Sequence, residues 1–196
     1  MNPTEFISDV VSHLREAGLP YMIVGSVASN AYGEVRTTFD TDIVVDAPFE
    51  DLLPFLRSLG EEYYVDEEMA REAWERRRMF NIIHFASGNK ADIICRKDYE
   101  YACVAFGRRR RRNVEDVEVQ MCTPEDVILS KLQWSKMGES ERQYRDALGV
   151  AKTQRSALDL AYLAHWAEDI GVADLLNRLL RDSELSPPPA TERSEE

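Results

Sequence analysis

Near the start of the chain, Phe6, Val10, Val11 and Leu14 recur at helical spacing and predict a helix over Thr4–Ala17. Thr4 is placed to cap it and Gly18 to end it. Tyr21-Met22-Ile23-Val24 is a short apolar run between Pro20 and Gly25, as expected of a buried strand. A short helix of small residues is expected over Ser26–Tyr32, a strand over Asp42–Asp46 and a helix over Pro48–Ser58. Met69–Arg77 reads as helix. Met79–Ala86 and Ala91–Arg96 read as two strands around a turn at Ser87-Gly88-Asn89-Lys90. Asp98–Phe106 reads as helix and Val117–Met121 as a last strand. From Thr123 the pattern is all helix: Thr123 is placed to cap, Pro124 to open and Glu125-Asp126 to fill the first turn, and further helices are expected over about Glu139–Thr153, Ser156–Asp169 and Val172–Asp182. The pattern predicts an α/β part over residues 1–122, a helical part over 123–182 and a disordered tail, rich in Pro and charge, over 183–196.

Charge changes this picture locally. The 196 residues carry a net charge of −12, which argues against general nucleic-acid binding. The distribution is uneven. Residues 1–68 hold 14 acids against 3 bases, residues 69–112 hold 12 bases against 5 acids, and residues 113–196 hold 17 acids against 9 bases. The basic centre includes Arg76–Arg78 and Arg108–Arg112. Such runs by themselves read as solvated faces; an RNA-binding role requires both on one face. Trp74, Trp134 and Trp166 read as core or groove residues. Cys95, Cys103 and Cys122 have neither disulfide-framework nor zinc spacing and read as buried small hydrophobes. No apolar run reaches the length of a membrane span, and the N-terminus lacks the pattern of a signal peptide, so a cytoplasmic protein without membrane contact is expected.

The candidate chemistry lies in Val24-Gly25-Ser26 and Asp40-Thr41-Asp42. Alternate strand residues point the same way, so Asp40 and Asp42 share a face. Two adjacent carboxylates need a cation, and their oxygens suit a hard one such as Mg²⁺. A Gly-Ser turn opening a helix offers backbone N–H groups and a hydroxyl to an anion. Asp92 opens an apolar strand and joins the pair if that strand lies beside the Asp42 strand. Asp46 reads as a turn residue. Glycine-rich P-loop, dinucleotide-binding and nucleophile-elbow motifs are absent.

These residues resemble the nucleotidyltransferase superfamily related to DNA polymerase β. Val24-Gly25-Ser26 matches its Gly-Ser element, and Arg36-Thr37-Thr38-Phe39-Asp40-Thr41-Asp42 is similar to the Arg-x-Thr-x-Asp-x-Asp form of minimal bacterial members. Asp92 stands for the third acid. The pair's middle residue is Thr41 instead of the usual apolar one, and the gap is long. Thr123-Pro124-Glu125-Asp126 through Lys131-Leu132 is similar to a helix of the AbiEii-type toxin branch. The resemblance implies a mixed β-sheet of the nucleotidyltransferase type with flanking helices and a helical C-terminal part. It implies metal-dependent transfer of a nucleoside monophosphate from a nucleoside triphosphate such as ATP to a hydroxyl of RNA, protein or a small molecule. Asp40, Asp42 and Asp92 are then the catalytic and metal-binding residues, for Mg²⁺ or Mn²⁺, and Gly25, Ser26, Arg36 and Lys131 the nucleotide-binding ones. Lys131 is expected to serve the triphosphate and not the fold. An antitoxin partner is a further implication. The rival reading is a non-catalytic binding or regulatory module of the same fold.

Overall fold

The computed structural model describes residues 1–38 and 40–185. The helices are α1 (Pro3–Glu16), α2 (Gly25–Tyr32), α3 (Phe49–Ser58), α4 (Glu67–Glu75), α5 (Glu100–Gly107), α6 (Pro124–Gly138), α7 (Glu141–Gln154), α8 (Leu160–Asp169) and α9 (Ala173–Asp182). The strands are β1 (Tyr21–Ile23), β2 (Asp40–Val45), β3 (Tyr63–Tyr64), β4 (Met79–His84), β5 (Lys90–Cys95), β6 (Arg110–Val114) and β7 (Val117–Met121). Two compact units result: residues 1–31 with 35–123, and residues 32–34 with 124 onward.

Among the described residues, the seven strands form one mixed sheet in the first unit, in the order β3-β4-β5-β2-β1-β7-β6. β2 and β5 pair in parallel, while β1–β2, β4–β5 and β6–β7 pair antiparallel. Along β2 burial alternates, with Thr41, Ile43 and Val45 buried and Asp40 exposed. Phe80, Ile82 and His84 of β4 and Ala91, Ile93 and Cys95 of β5 are buried in step with them. Helices pack on this side: Trp74 of α4 lies 5.9 Å from Phe80 and Phe6 of α1 lies 6.1 Å from Tyr63, ring centre to ring centre. Burying a Leu, Ile, Val or Phe side chain stabilises by about 1.5–3 kcal/mol, so this face anchors the sheet. The opposite face carries Asp40, Asp42, Lys90, Asp92 and Asn81 at one end and apolar residues such as Met22, Val44 and Ile94 further along.

Several expectations are corrected. Asn2, not Thr4, caps α1, through a reciprocal pair with Glu5. β3 and β6 were not expected; β6 hides in the arginine run, which lacks any apolar alternation. Lys90 begins β5 and is not part of the turn. Cys95 and Cys122 are buried, but Cys103 is exposed. Trp74 and Trp166 are buried, whereas Trp134 is 60% exposed. Ser183 is buried and donates its hydroxyl to Leu179 O, so order continues past α9; the rest of the expected tail, from residue 186, lies outside the described residues.

In the second unit Glu125 and Asp126 of α6 are buried. Glu125 Oε1 accepts from the Asp159 N–H at 3.0 Å, and Asp126 Oδ1 accepts from the Tyr162 hydroxyl at 2.7 Å. These acids fix the start of α8.

Candidate active site

Val24 leaves β1 and donates its N–H to Asp42 O at 3.0 Å, which fixes the turn against β2. Gly25 then starts α2 with φ +63°. A Cβ there would stand 1.9 Å from Asp42 Oδ2 and 2.7 Å from its Cγ. Only glycine lets the chain adopt this conformation and touch that carboxylate. Ser26 follows, and its hydroxyl accepts from Arg36 Nη2 at 2.7 Å. Asn30 holds the Arg36 backbone from both sides: its amide donates to Arg36 O at 2.6 Å, and the Arg36 N–H donates to its Oδ1 at 3.2 Å. Gly25, Ser26 and Arg36 thus bring N–H groups, a hydroxyl and a guanidinium to the N-terminus of α2, where anions are favoured.

The acids come together through strand register. Asp42 is the direct partner of Asp92 on the parallel strand, and Asp40 is the partner of Lys90. Neighbouring strands lie about 4.8 Å apart and register partners point the same way, so Asp40, Asp42, Lys90 and Asp92 share one face. Asn81 faces Asp92 from the other side and donates to its Oδ1 at 2.5 Å. Asp92 is 8% exposed. The Lys90 ammonium bridges two of the acids, 3.1 Å from Asp92 Oδ1 and 3.7 Å from Asp40 Oδ1. Burial by itself lowers the Lys90 pKa; the hydrogen bond and charge of Asp92, with Asp40, outweigh it and carry the pKa above the ordinary lysine value.

Sequence reasoning missed Lys90 and Asn81. The signal for Lys90 was its two-residue spacing from Asp92, which on a strand means a shared face. Asn81 needed the β4–β5 register, which sequence does not give. Asp46 lies at the other end of β2 and pairs with Arg96 Nε at 2.9 Å. Lys131 belongs to the second unit, where its ammonium is 3.0 Å from Asp146 Oδ2 and both side chains are buried. Its ammonium is therefore held in an ion pair within that unit.

The two basic runs are not contiguous. Arg78 immediately precedes β4, whereas Arg110–Arg112 lie in β6, five strand spacings away across the sheet, or about 24 Å.

The donors gathered around Asp42 are oxygens, as a hard divalent ion requires. Among the described residues, no three acid, His or Cys side chains are arranged to hold a metal as they stand. The Lys90 ammonium lies between Asp92 and Asp40.

No protein-family model and no curated protein matches this sequence. Solved structures do. The antibiotic-resistance factor ANT(2'')-Ia in solution aligns over 89% of this chain and 96% of its own, with TM-score 0.56 and 13% identity. The crystal structure of ANT(2'')-Ia in complex with adenylyl-2''-tobramycin gives TM-score 0.55 and 14% identity over 89% of this chain and 97% of that one. An antigenic nucleotidyltransferase-like protein from Paracoccidioides brasiliensis gives TM-score 0.52 and 12% identity over 95% and 94%. The fold is the mixed α/β fold of nucleotidyltransferase-like proteins. No helix among the described residues is long and apolar enough to cross a membrane.

Proposed function

We propose that this chain is a nucleotidyltransferase that moves a nucleoside monophosphate from a nucleoside triphosphate to a hydroxyl acceptor. The observation that carries the reading is the register pairing of Asp42 with Asp92, beside a glycine turn that admits the Asp42 carboxylate. The triphosphate binds at the N-terminus of α2, where Gly25 and Ser26 offer donors and Arg36 offers positive charge. Asp40, Asp42 and Asp92 hold Mg²⁺ or Mn²⁺, which when bound neutralises phosphate charge and orients the attacking and leaving oxygens. Asp92, kept in place by Asn81, accepts the proton of the acceptor hydroxyl. The attacking oxygen forms its bond to the α-phosphorus as the bond to pyrophosphate breaks.

Two observations favour a small acceptor over RNA: the divided basic runs, and a structural neighbour that was crystallised with an adenylylated aminoglycoside. Polyhydroxylated amines are therefore the first acceptors to test. The assay is incubation with α-labelled nucleoside triphosphates, Mg²⁺ and an acceptor panel that also includes RNA and cell extract. Label should pass to an acceptor and the transfer should vanish in Asp92→Asn, while triphosphate binding persists. General-base assistance is worth about 10²–10⁴ in rate. Binding of the triphosphate without transfer to any acceptor would favour the non-catalytic module; transfer undiminished in Asp92→Asn would remove Asp92 from the chemistry.

A further inference from the structure

Lys90 is the unexplained member of this site. A cluster of three carboxylates gains from a cation, and here the cation is supplied by the chain itself. Its ammonium lies on Asp92 Oδ1 and near Asp40 Oδ1, two of the oxygens a divalent ion needs. Asn81 also donates to Asp92 Oδ1, so that oxygen already receives two donors. A divalent ion and Lys90 therefore compete for the same atoms. The competition is unequal when an anion is present. Lys90 is a register partner of Asp40 and shares a face with Asp42, whose carboxylate touches Gly25 at the start of α2. A lysine side chain has four flexible methylenes and three donors that can be re-aimed. When a triphosphate occupies the start of α2, its oxygens offer the displaced ammonium a new partner.

We propose that Lys90 is a built-in counter-ion that keeps the free site from holding a divalent metal and releases Asp40 and Asp92 when metal and triphosphate arrive together. The inference rests on the nucleotidyltransferase reading. It makes Lys90 a positioning residue for the acids, and it couples the two ligands. Coupling between ligands is reciprocal, and typical values lie at about 5–150-fold in affinity.

The test is Mn²⁺ binding to the full chain, followed by the paramagnetic resonance signal of the free ion, without nucleotide. Lys90→Met keeps much of the stem and removes the charge; Lys90→Arg keeps the charge. Lys90→Met should bind Mn²⁺ about tenfold more tightly than wild type, and Lys90→Arg should stay near wild type. The second measurement compares an α,β-methylene triphosphate with its preformed Mn²⁺ complex by calorimetry. Wild type should prefer the complex strongly, and Lys90→Met should lose most of that preference. Equal Mn²⁺ affinity in wild type and Lys90→Met, with binding lost in Asp42→Asn, would overturn the role of Lys90 and leave the metal site standing. Mn²⁺ binding unaffected by Asp42→Asn, with or without the methylene analogue, would overturn the metal site and this inference with it.

Discussion

Replacing Gly25 by alanine separates what the backbone turn demands from what the carboxylate demands. Two glycines with nearly the same dihedral make the comparison clean: Gly25 at φ +63° and Gly18 at φ +66°. A left-handed conformation costs an alanine roughly 1–2 kcal/mol at either place. At Gly18 a Cβ meets nothing within 4 Å, so Gly18→Ala reports that strain alone. At Gly25 the new methyl meets Asp42 Oδ2 at 1.9 Å, Cγ at 2.7 Å and Cβ at 3.0 Å. The carboxylate has a short side chain and can escape only by turning about its Cα–Cβ bond. Turning re-aims its oxygens on the face it shares with Asp92 and takes them out of their present arrangement. Gly18→Ala should therefore lose about 1–2 kcal/mol in urea unfolding and Gly25→Ala more, the excess reporting the displaced carboxylate. Their ligand binding should differ sharply. Disturbing the groups that orient a metal ligand costs about 10–100-fold in affinity, so the Mn²⁺–triphosphate complex should bind Gly25→Ala at least that much more weakly than Gly18→Ala. Equal affinity in the two variants would refute the argument that Gly25 exists to admit Asp42.

Other outcomes follow from the same geometry. Lys131→Met leaves the buried Asp146 without its ammonium and should cost about 3–5 kcal/mol in denaturant unfolding; a near-normal midpoint would return Lys131 to the triphosphate role. Asn30→Ala removes both bonds that hold the Arg36 backbone, each worth about 1 kcal/mol, so triphosphate affinity should fall several-fold and the melting temperature by several degrees. Burial, together with the hydrogen bond and charge of Asp182, raises the Tyr144 phenol above its ordinary pKa. The fold then favours the neutral phenol: its contribution is intact below the unfolded value of about 10 and is lost as pH rises through the folded one. Tyr144→Phe should flatten the fall of stability above about pH 10, and an unchanged slope would assign that fall to other groups.

The sheet's interior was largely legible, because Tyr21–Ile23, Ile43–Val45 and Ile93–Ile94 are apolar runs bounded by turn residues. The shared face of Asp40 and Asp42 followed from the period of a strand alone. The pairing of Asp42 with Asp92 depended on which strands are neighbours, and local sequence carries no record of that. Lys90 was hidden by the turn signal Ser87-Gly88-Asn89, which drew it into the loop when it in fact begins β5. The burial of Lys131 was equally invisible, since its partner Asp146 sits fifteen residues on, in a different helix. β6 escaped notice because exposed arginines replace the apolar alternation by which strands are recognised.

That arginine strand has a consequence for the molecule's behaviour in concentrated solution. β6 closes one end of the sheet, and such an end is a template on which a second copy can add its own strand. Two copies meeting antiparallel about Arg111 would set Arg110 opposite Arg112 and Arg111 opposite itself. Six guanidinium groups would crowd along one seam, and like charges directly opposed destabilise a strand pair. The repulsion weakens as salt shortens the reach of charge, from about 10 Å at 0.1 M to about 3 Å at 1 M. Self-association through this end should therefore be suppressed in dilute buffer and released by strong salt or by a polyanion that cloaks the arginines, so that storage conditions meant to protect the protein would instead expose its open edge.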